Sequence, residues 1–262
     1  MNPQHQDSGP PCGDSSTKDA PLAEQLRELS ALTGGLAHEI RNPLSTLKVN
    51  LQLLDEDWRQ VESSDPAGHP EAQDIARRSR TRITTLLKEA DRLEQILHDF
   101  LQYIGRRDLK CTRTDLNHVV SELADFYRPQ AHIGGIELTL RVHDRPLLCD
   151  VDVNLLKQAL LNLLINAQQA MQHGGHLRLT LSKDDAGFAR IDVTDSGSGI
   201  PAESRERIFQ AYYSTKKGGT GLGLATARRI IREHGGTISV QSEPAGGATF
   251  TIRLPMHDPG AA

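Results

Sequence analysis

The chain has 262 residues, 37% of them hydrophobic, and a formal net charge of −4 at pH 7. It therefore has room for one or two domains with real cores and lacks the basic excess of a nucleic-acid binder. No apolar run reaches membrane-spanning length, since the densest, residues 159–167, is broken by Asn162 and Asn166. No basic-then-apolar signal pattern opens the chain, and Cys12, Cys111 and Cys149 lie too far apart for disulfide-framework or metal spacing. The expectation is a soluble cytoplasmic protein.

Residues 1 to about 20 are rich in Pro, Gly, Ser and Asp and nearly devoid of apolar residues, the composition of a disordered tail. Pro21 suits a first helical position. From there Leu26, Leu29, Leu32, Leu36, Ile40, Leu44, Leu47, Leu51 and Leu54 recur at steps of three and four. That spacing writes one apolar stripe along a single helix to about Trp58, roughly 38 residues or about 57 Å at 1.5 Å per residue. Such lengths belong to coiled coils and bundles. His38 falls about 200° around the helix from Leu36, so it points away from the stripe and shares its face with Arg41, Asn42 and Ser45. Pro43 removes the hydrogen bond to the carbonyl of Glu39, which predicts a bend beside His38. Gly34-Gly35 costs a helix interior about 1 kcal/mol per residue relative to Ala. The pair marks either a flexible point or a close helix approach.

Residues 63–70, Ser-Ser-Asp-Pro-Ala-Gly-His-Pro, read as a loop. A second amphipathic helix follows from about Glu71 to Ile104, with Ile75, Ile83, Leu86, Leu87, Ala90, Leu93, Ile96, Leu97, Phe100, Leu101 and Ile104 as its stripe. A lone helical hairpin leaves much of such a seam wet. Pairing two hairpins into a four-helix bundle buries it, so a homodimer through residues 22–104 is expected. Residues 105–108 break the pattern and start a linker.

Beyond the linker the texture alternates. A helix from Leu116 to about Tyr127 is capped by Thr114 or Asp115. Strand 136–142 and an extended piece at 147–149 precede a helix from Val153 to Met171, with Asp152 as N-cap. Strands 177–182 and 188–194 flank a turn at 183–187; helix 222–234 closes on Gly235-Gly236, and a hairpin pairs 237–241 with 248–254. Helices on one face of a mixed sheet make an α/β sandwich.

Within helix 153–171, Gln158, Asn162 and Asn166 are spaced by four on the side opposite the apolar face. Asparagine is a poor mid-helix residue, but a neutral amide oxygen can coordinate Mg²⁺ beside phosphate oxygens without adding repulsive charge. Residues 195–201 (Asp-Ser-Gly-Ser-Gly-Ile-Pro) follow a strand directly. Gly197 and Gly199 let backbone approach a flat ligand, and a buried Asp195 carboxylate can accept from an exocyclic amine. Adenine offers that amine and guanine does not. Gly219, Thr220, Gly221, Leu222 and Gly223 then open a helix, presenting backbone N–H groups to anionic phosphates. Lys216 stands three residues ahead as a point charge for a terminal phosphate. The polar stretch between, with Phe209, Tyr212 and Tyr213, reads as a lid.

A lone helical histidine is ordinarily a surface or packing residue, and a lone DxGxG is ordinarily a turn. In this order and context, however, the motifs from about 22 to 256 resemble the catalytic core of the two-component sensor histidine kinases. Residues 38–43 (His-Glu-Ile-Arg-Asn-Pro) match the acceptor box and residues 162–167 the N box; residues 195–201 match the first glycine box, 209–216 the lid and 219–224 the second glycine box. The lid departs from the family in reading Ala211-Tyr212 where Pro-Phe is usual.

The resemblance implies a multidomain chain. A tail (1–20) precedes a helical hairpin for dimerisation and phosphoacceptance (21–106), which forms a dimeric four-helix bundle. An α/β sandwich ATP-binding domain of the Bergerat type (107–256) and a short tail (257–262) follow. It implies Mg-ATP as cofactor, with Asn166 on the metal and phosphates over Asn162, Asn166, Lys216 and the second glycine box. It also implies autophosphorylation of His38, helped by Glu39, and transfer to an aspartate on a response regulator, with Asn42 in a phosphatase role. Two rivals stand beside it. A hydrolysing ATPase of the same fold carries a glutamate base where this chain has Asn162, and a scaffold would not need the full motif set. Residues 1–20 are too few to fold into a sensor. The signal therefore comes from a separate sensory partner, from the helices themselves or from an input domain outside this chain.

Overall fold

The computed structural model describes residues 20–63, 72–105, 108–216, 219–243 and 246–257. The expected N-terminal tail (apart from Ala20), most of the 63–70 loop and residues 258–262 lie outside them. Two long helices come first, α1 (Ala20–Ser63) and α2 (Ala72–Ile104). Helix α1 continues through Gly34-Gly35 and through Pro43, which is buried. It runs five residues beyond the expected end at Trp58. The two helices pack on each other, and Asp57, 5% exposed, pairs with Arg82 of α2, which also donates to the Leu53 carbonyl. A buried pair of this kind fixes the register of the hairpin, because losing one partner strands the other charge.

The seam stays half open in the single chain. Leu44, Leu51, Leu53, Ile83, Leu87, Leu97 and Leu101 are all more than a third exposed, although Ile75 and Ile96 are buried as the stripe requires. Tyr103, absent from the expected stripe, is also buried.

The second unit is built from β1 (Thr112–Asp115), α3 (Leu116–Ile133), β2 (Ile136–Arg141), β3 (Leu148–Val151), α4 (Val153–Ala170), β4 (Gly175–Lys183), β5 (Phe188–Asp195), α5 (Gly223–Glu233), β6 (Thr237–Ser242) and β7 (Ala248–Pro255). Five strands form a mixed sheet in the order β2-β4-β5-β7-β6, with β2 and β4 parallel and every other pair antiparallel. The helices lie on one face only. Alternation along each strand therefore sends Leu177, Leu179 and Leu181, then Ala189, Ile191 and Val193, then Phe250, Ile252 and Leu254 into one core. Against them α4 lays Leu156, Ala159, Leu160, Leu163, Leu164 and Ala167, all fully buried, as its spacing predicts. Strands β1 and β3 pair separately as a two-stranded antiparallel ribbon.

Caps place the helix starts that position the site. Asp152 accepts from the Asn154 and Leu155 N–H groups at 3.1 and 3.2 Å. Asp115 rather than Thr114 caps α3, accepting from Asn117 at 3.0 Å. Buried His234 ties α5 to α4: its Nδ1–H donates to the Ile230 carbonyl, and Nε2 accepts the Asp152 N–H at 3.0 Å.

Candidate nucleotide and phosphoacceptor site

The parity of β5 produces the first site residue. Ala189, Ile191 and Val193 point into the core, and the next residue in step is Asp195, 4% exposed. A carboxylate thus lines a cleft of about 900 Å³ together with apolar Ile200, Pro201, Ile208, Leu224 and Ala248 and with polar Asn166, His173, Ser204 and Lys216. Its Oδ1 accepts the Gly197 N–H at 2.8 Å. Burial pushes the carboxyl pKa upward, against the pull of the Gly197 and Ala248 backbone bonds and of Lys216. A side chain on Gly197 would stand 2.7 Å from the Ala170 Cβ, and Gly199 has φ +72°. The backbone can follow this path only with glycine at those two positions.

An adjoining cleft of about 420 Å³ shares Asn166, Lys216, Gly219 and Leu224 and adds Asn162, Thr220, Gly221 and Gly223. Here polar groups crowd together. Asn162 donates its amide to the Gly223 carbonyl at 3.0 Å, which pins α4 to the start of α5. The Lys216 ammonium donates to Asn166 Oδ1 at 2.7 Å, to the Asn166 carbonyl at 3.1 Å and to Gln169 Oε1 at 3.1 Å. Every one of those acceptors is neutral, and burial draws the Lys216 pKa down to about 8, with Asp195 opposing. The Leu222 N–H bonds back to the Thr220 hydroxyl at 3.4 Å, and Gly221 has φ +67°.

The predicted residues Asn162, Asn166, Asp195, Gly199, Lys216, Gly219, Thr220, Gly221 and Gly223 lie on one of these clefts, and Gly197 and Leu222 in the backbone that shapes them. Gln158 instead donates to Gln102 of α2, and the lid residues Phe209 and Tyr212 line neither cleft. The larger cleft offers a buried carboxylate with Ile200, Pro201, Ile208, Leu224 and Ala248 among its walls, suited to a flat heteroaromatic amine. The other offers an ammonium, amides and a helix start, suited to anions. Asn166 Oδ1 fits a magnesium ion, which takes one or two protein oxygens and fills its shell with water and phosphate. Cation and ammonium would compete for that oxygen.

The structure places His38, Glu39 and Asn42 outside these clefts, on α1. His38, Arg41, Asn42 and Ser45 are all exposed, while Leu36 and Ile40 are half-buried, so the expected outward face is present. The Glu39 carboxylate meets Arg92 of α2 at 3.4 Å. The hairpin itself supplies wall to the polar cleft through Gln95 and Asp99, and Asp99 accepts from the Thr220 hydroxyl at 2.7 Å.

Sequence reasoning missed Gln169, Arg92, Gln95 and Asp99. Gln169 is detectable in principle, three residues beyond Asn166 and so beside it on the helix surface. The other three lie on an amphipathic helix among many polar residues and carry no local signal.

Residues 28–104 match the His Kinase A (phospho-acceptor) domain, and residues 151–258 match the histidine kinase-, DNA gyrase B- and HSP90-like ATPase family. The sensor histidine kinase ZraS of Escherichia coli strain K12 is 38% identical over 234 residues, covering 89% of this chain and 47% of that protein. The chain thus spans about half the length of that relative. Among solved structures, histidine kinase ThkA in complex with response regulator protein TrrA aligns with a TM-score of 0.69 and 27% identity, over 93% of this chain and 68% of that one. The ThkA catalytic domain alone is 31% identical with a TM-score of 0.51, over 56% of this chain and 95% of that domain.

Proposed function

The chain belongs to the two-component sensor histidine kinase family, and from that premise we propose that it phosphorylates its own His38 from ATP and passes the phosphoryl group to an aspartate of a response regulator. One observation carries the reading: hairpin residues Gln95 and Asp99 wall the same cleft as Asn162, Asn166, Lys216 and Thr220. A nucleotide held there has its polar end against the phosphoacceptor unit.

In this reading ATP lies with its amine on Asp195 and its phosphates along Asn162, Asn166, Lys216 and residues 219–223. Asn166 holds magnesium, which supplies neutralisation of phosphate charge. A His38 ring nitrogen forms the new bond to the γ-phosphorus, the bond to the β,γ-bridging oxygen breaks, and ADP leaves. Glu39 accepts a hydrogen bond from the other ring N–H and offsets the developing positive charge, and only its Oε2 faces Arg92, at 3.4 Å. Asn42, one turn beyond, orients the water that dephosphorylates the regulator. That ThkA binds a response regulator supports the choice of acceptor. Asn162, whose amide is committed to the Gly223 carbonyl, supports transfer over hydrolysis, since an amide cannot take a proton from water.

Residues 21–106 serve as the dimerisation and phosphoacceptor domain, and residues 107–256 as the catalytic domain. The open seam of α1 and α2 supports a homodimer whose four-helix bundle buries it. Among the described residues no helix is long and apolar enough to cross a membrane, and dependence on ATP places the reaction in the cytoplasm. A separate sensory partner or a further segment supplies the signal.

The test is incubation with γ-labelled ATP and magnesium. Protein-bound label lost in acid but kept in alkali supports phosphohistidine. Free phosphate without labelled protein supports hydrolysis and overturns the reading.

A further inference from the structure

The glycine pair in α1 has two different environments. A methyl group on Gly34 would meet nothing within 4 Å, whereas one on Gly35 would stand 2.7 Å from both Cγ and Cε2 of Tyr212. The lid aromatic therefore lies directly against bare helix backbone, three residues and about one turn before His38. Its own backbone is held from the other side. A Cβ on Gly221 would lie 2.6 Å from the Tyr212 carbonyl carbon, so Tyr212 is sandwiched between the phosphoacceptor helix and the second glycine box. It also has φ +62°, the one positive φ at a non-glycine residue among those described. Backbone in that region persists where surrounding packing over-determines it, and such residues gather at working sites.

The packing is a small apolar cluster joining the two units: Leu32 of α1, Tyr103 of α2, and Leu222 and Ala225 at the start of α5, with Ala211 and Tyr212 against them. The Tyr212 hydroxyl is buried without a hydrogen-bond partner among the described residues, and that burial, with the Glu39 carboxylate second, pushes its pKa up. The ring, then, holds the contact and the hydroxyl does not.

We propose that Gly35 and Tyr212 form a seat that sets the ATP-binding domain on the phosphoacceptor helix, which makes both positioning residues for phosphoryl transfer to His38. The inference rests on the kinase reading above and adds to it the place where lid and helix meet. It gives the Ala211-Tyr212 departure in the lid a physical partner, the missing side chain at Gly35.

The glycine pair supplies its own control. Alanine is a better helix former than glycine, so Gly34→Ala and Gly35→Ala both strengthen α1, and only the second fills the seat. In the full chain, Gly34→Ala should autophosphorylate like wild type. Gly35→Ala should lose about tenfold or more in rate at saturating ATP, with the KM for ATP unchanged, as misplacement of reacting groups does. Tyr212→Phe keeps the ring and should retain the wild-type rate, while Tyr212→Ala should fall. Because the two changes remove one contact, the double variant Gly35→Ala/Tyr212→Ala should be no slower than the slower single.

Hydrogen exchange provides a readout that needs no turnover. Amides of residues 32–39 and 209–214 should be protected in wild type and Gly34→Ala and lose protection in Gly35→Ala. Equal rates and equal exchange in the two alanine variants would overturn the seat, as would multiplicative losses in the double variant. If wild type itself takes no label the kinase reading fails separately, and the exchange comparison still decides whether the lid sits on Gly35.

Discussion

With the triphosphate on Lys216 as proposed, nucleotide affinity should fall as pH rises through about 8. In the nucleotide-free protein its ammonium is bonded only to the neutral oxygens of Asn166 and Gln169, and burial has lowered its pKa to about 8. A bound triphosphate brings negative charge to the same cleft and restores the charged form, so binding above pH 8 takes up a proton. At pH 9 about one free molecule in eleven carries the charge, which weakens affinity roughly tenfold, or about 1.4 kcal/mol, relative to neutral pH. Any slope from the ligand's own terminal phosphate is common to wild type and Lys216→Met and drops out of their difference. Calorimetric titration with a non-hydrolysable ATP analogue, in two buffers of different ionisation heat at pH 7, 8 and 9, measures both affinity and proton uptake. Lys216→Met should bind more weakly at pH 7 by about 1.5–3 kcal/mol and lack the Lys216 slope. The same pKa shift has a sign for folding. The unfolded chain binds more protons than the folded one between about 8 and 10.5, so nucleotide-free stability from this group rises with pH across that window. Flat wild-type affinity from pH 7 to 9, or the same slope in Lys216→Met, would refute the placement of Lys216 on the phosphates.

Two further expectations follow from burial. Asp195→Asn keeps the bond from Gly197 only by turning its NH₂ group toward the ligand's amine, so ATP affinity should drop by about 2–3 kcal/mol. The preference for ATP over GTP should vanish while thermal stability holds or rises, because a buried charge is gone; an undiminished preference would remove Asp195 from base recognition. Leu51 is 54% exposed in the single chain, and burying a leucine is worth about 1.5–3 kcal/mol. Leu51→Glu should therefore turn a dimer into a monomer in light scattering without lowering nucleotide affinity, and a wild-type monomer would count against the bundle.

Most of the fold was legible because it rests on periodicity. The apolar face of α4 and the outward turn of His38 follow from spacing alone, and Asp152 announces the start of α4. Strand β1 was not legible: Thr112-Arg113-Thr114-Asp115 has no apolar alternation and becomes a strand only because β3 pairs with it. Helix α3 runs to Ile133, six residues past its expected end at Tyr127, and takes Pro129 inside it. Tertiary burial of Ala131 and the cap at Gly134 carry the helix on. In the site, Asp195 and the glycine boxes were visible as local motifs. Asp99 on Thr220 and Arg92 on Glu39 were not, since each depends on how a featureless helix face meets another unit. Gly35 lay between these cases: the sequence offered a flexible point or a close helix approach, and what the structure sets against Gly35 is instead the lid ring of Tyr212.

The central claim is that His38 carries the phosphoryl group. The most direct measurement compares wild type with His38→Gln for phosphoprotein formed from γ-labelled ATP, alongside nucleotide affinity in both proteins. His38→Gln should bind nucleotide like wild type, since His38 lies outside both clefts, and form no acid-labile phosphoprotein. Labelling of His38→Gln at the wild-type level would contradict it.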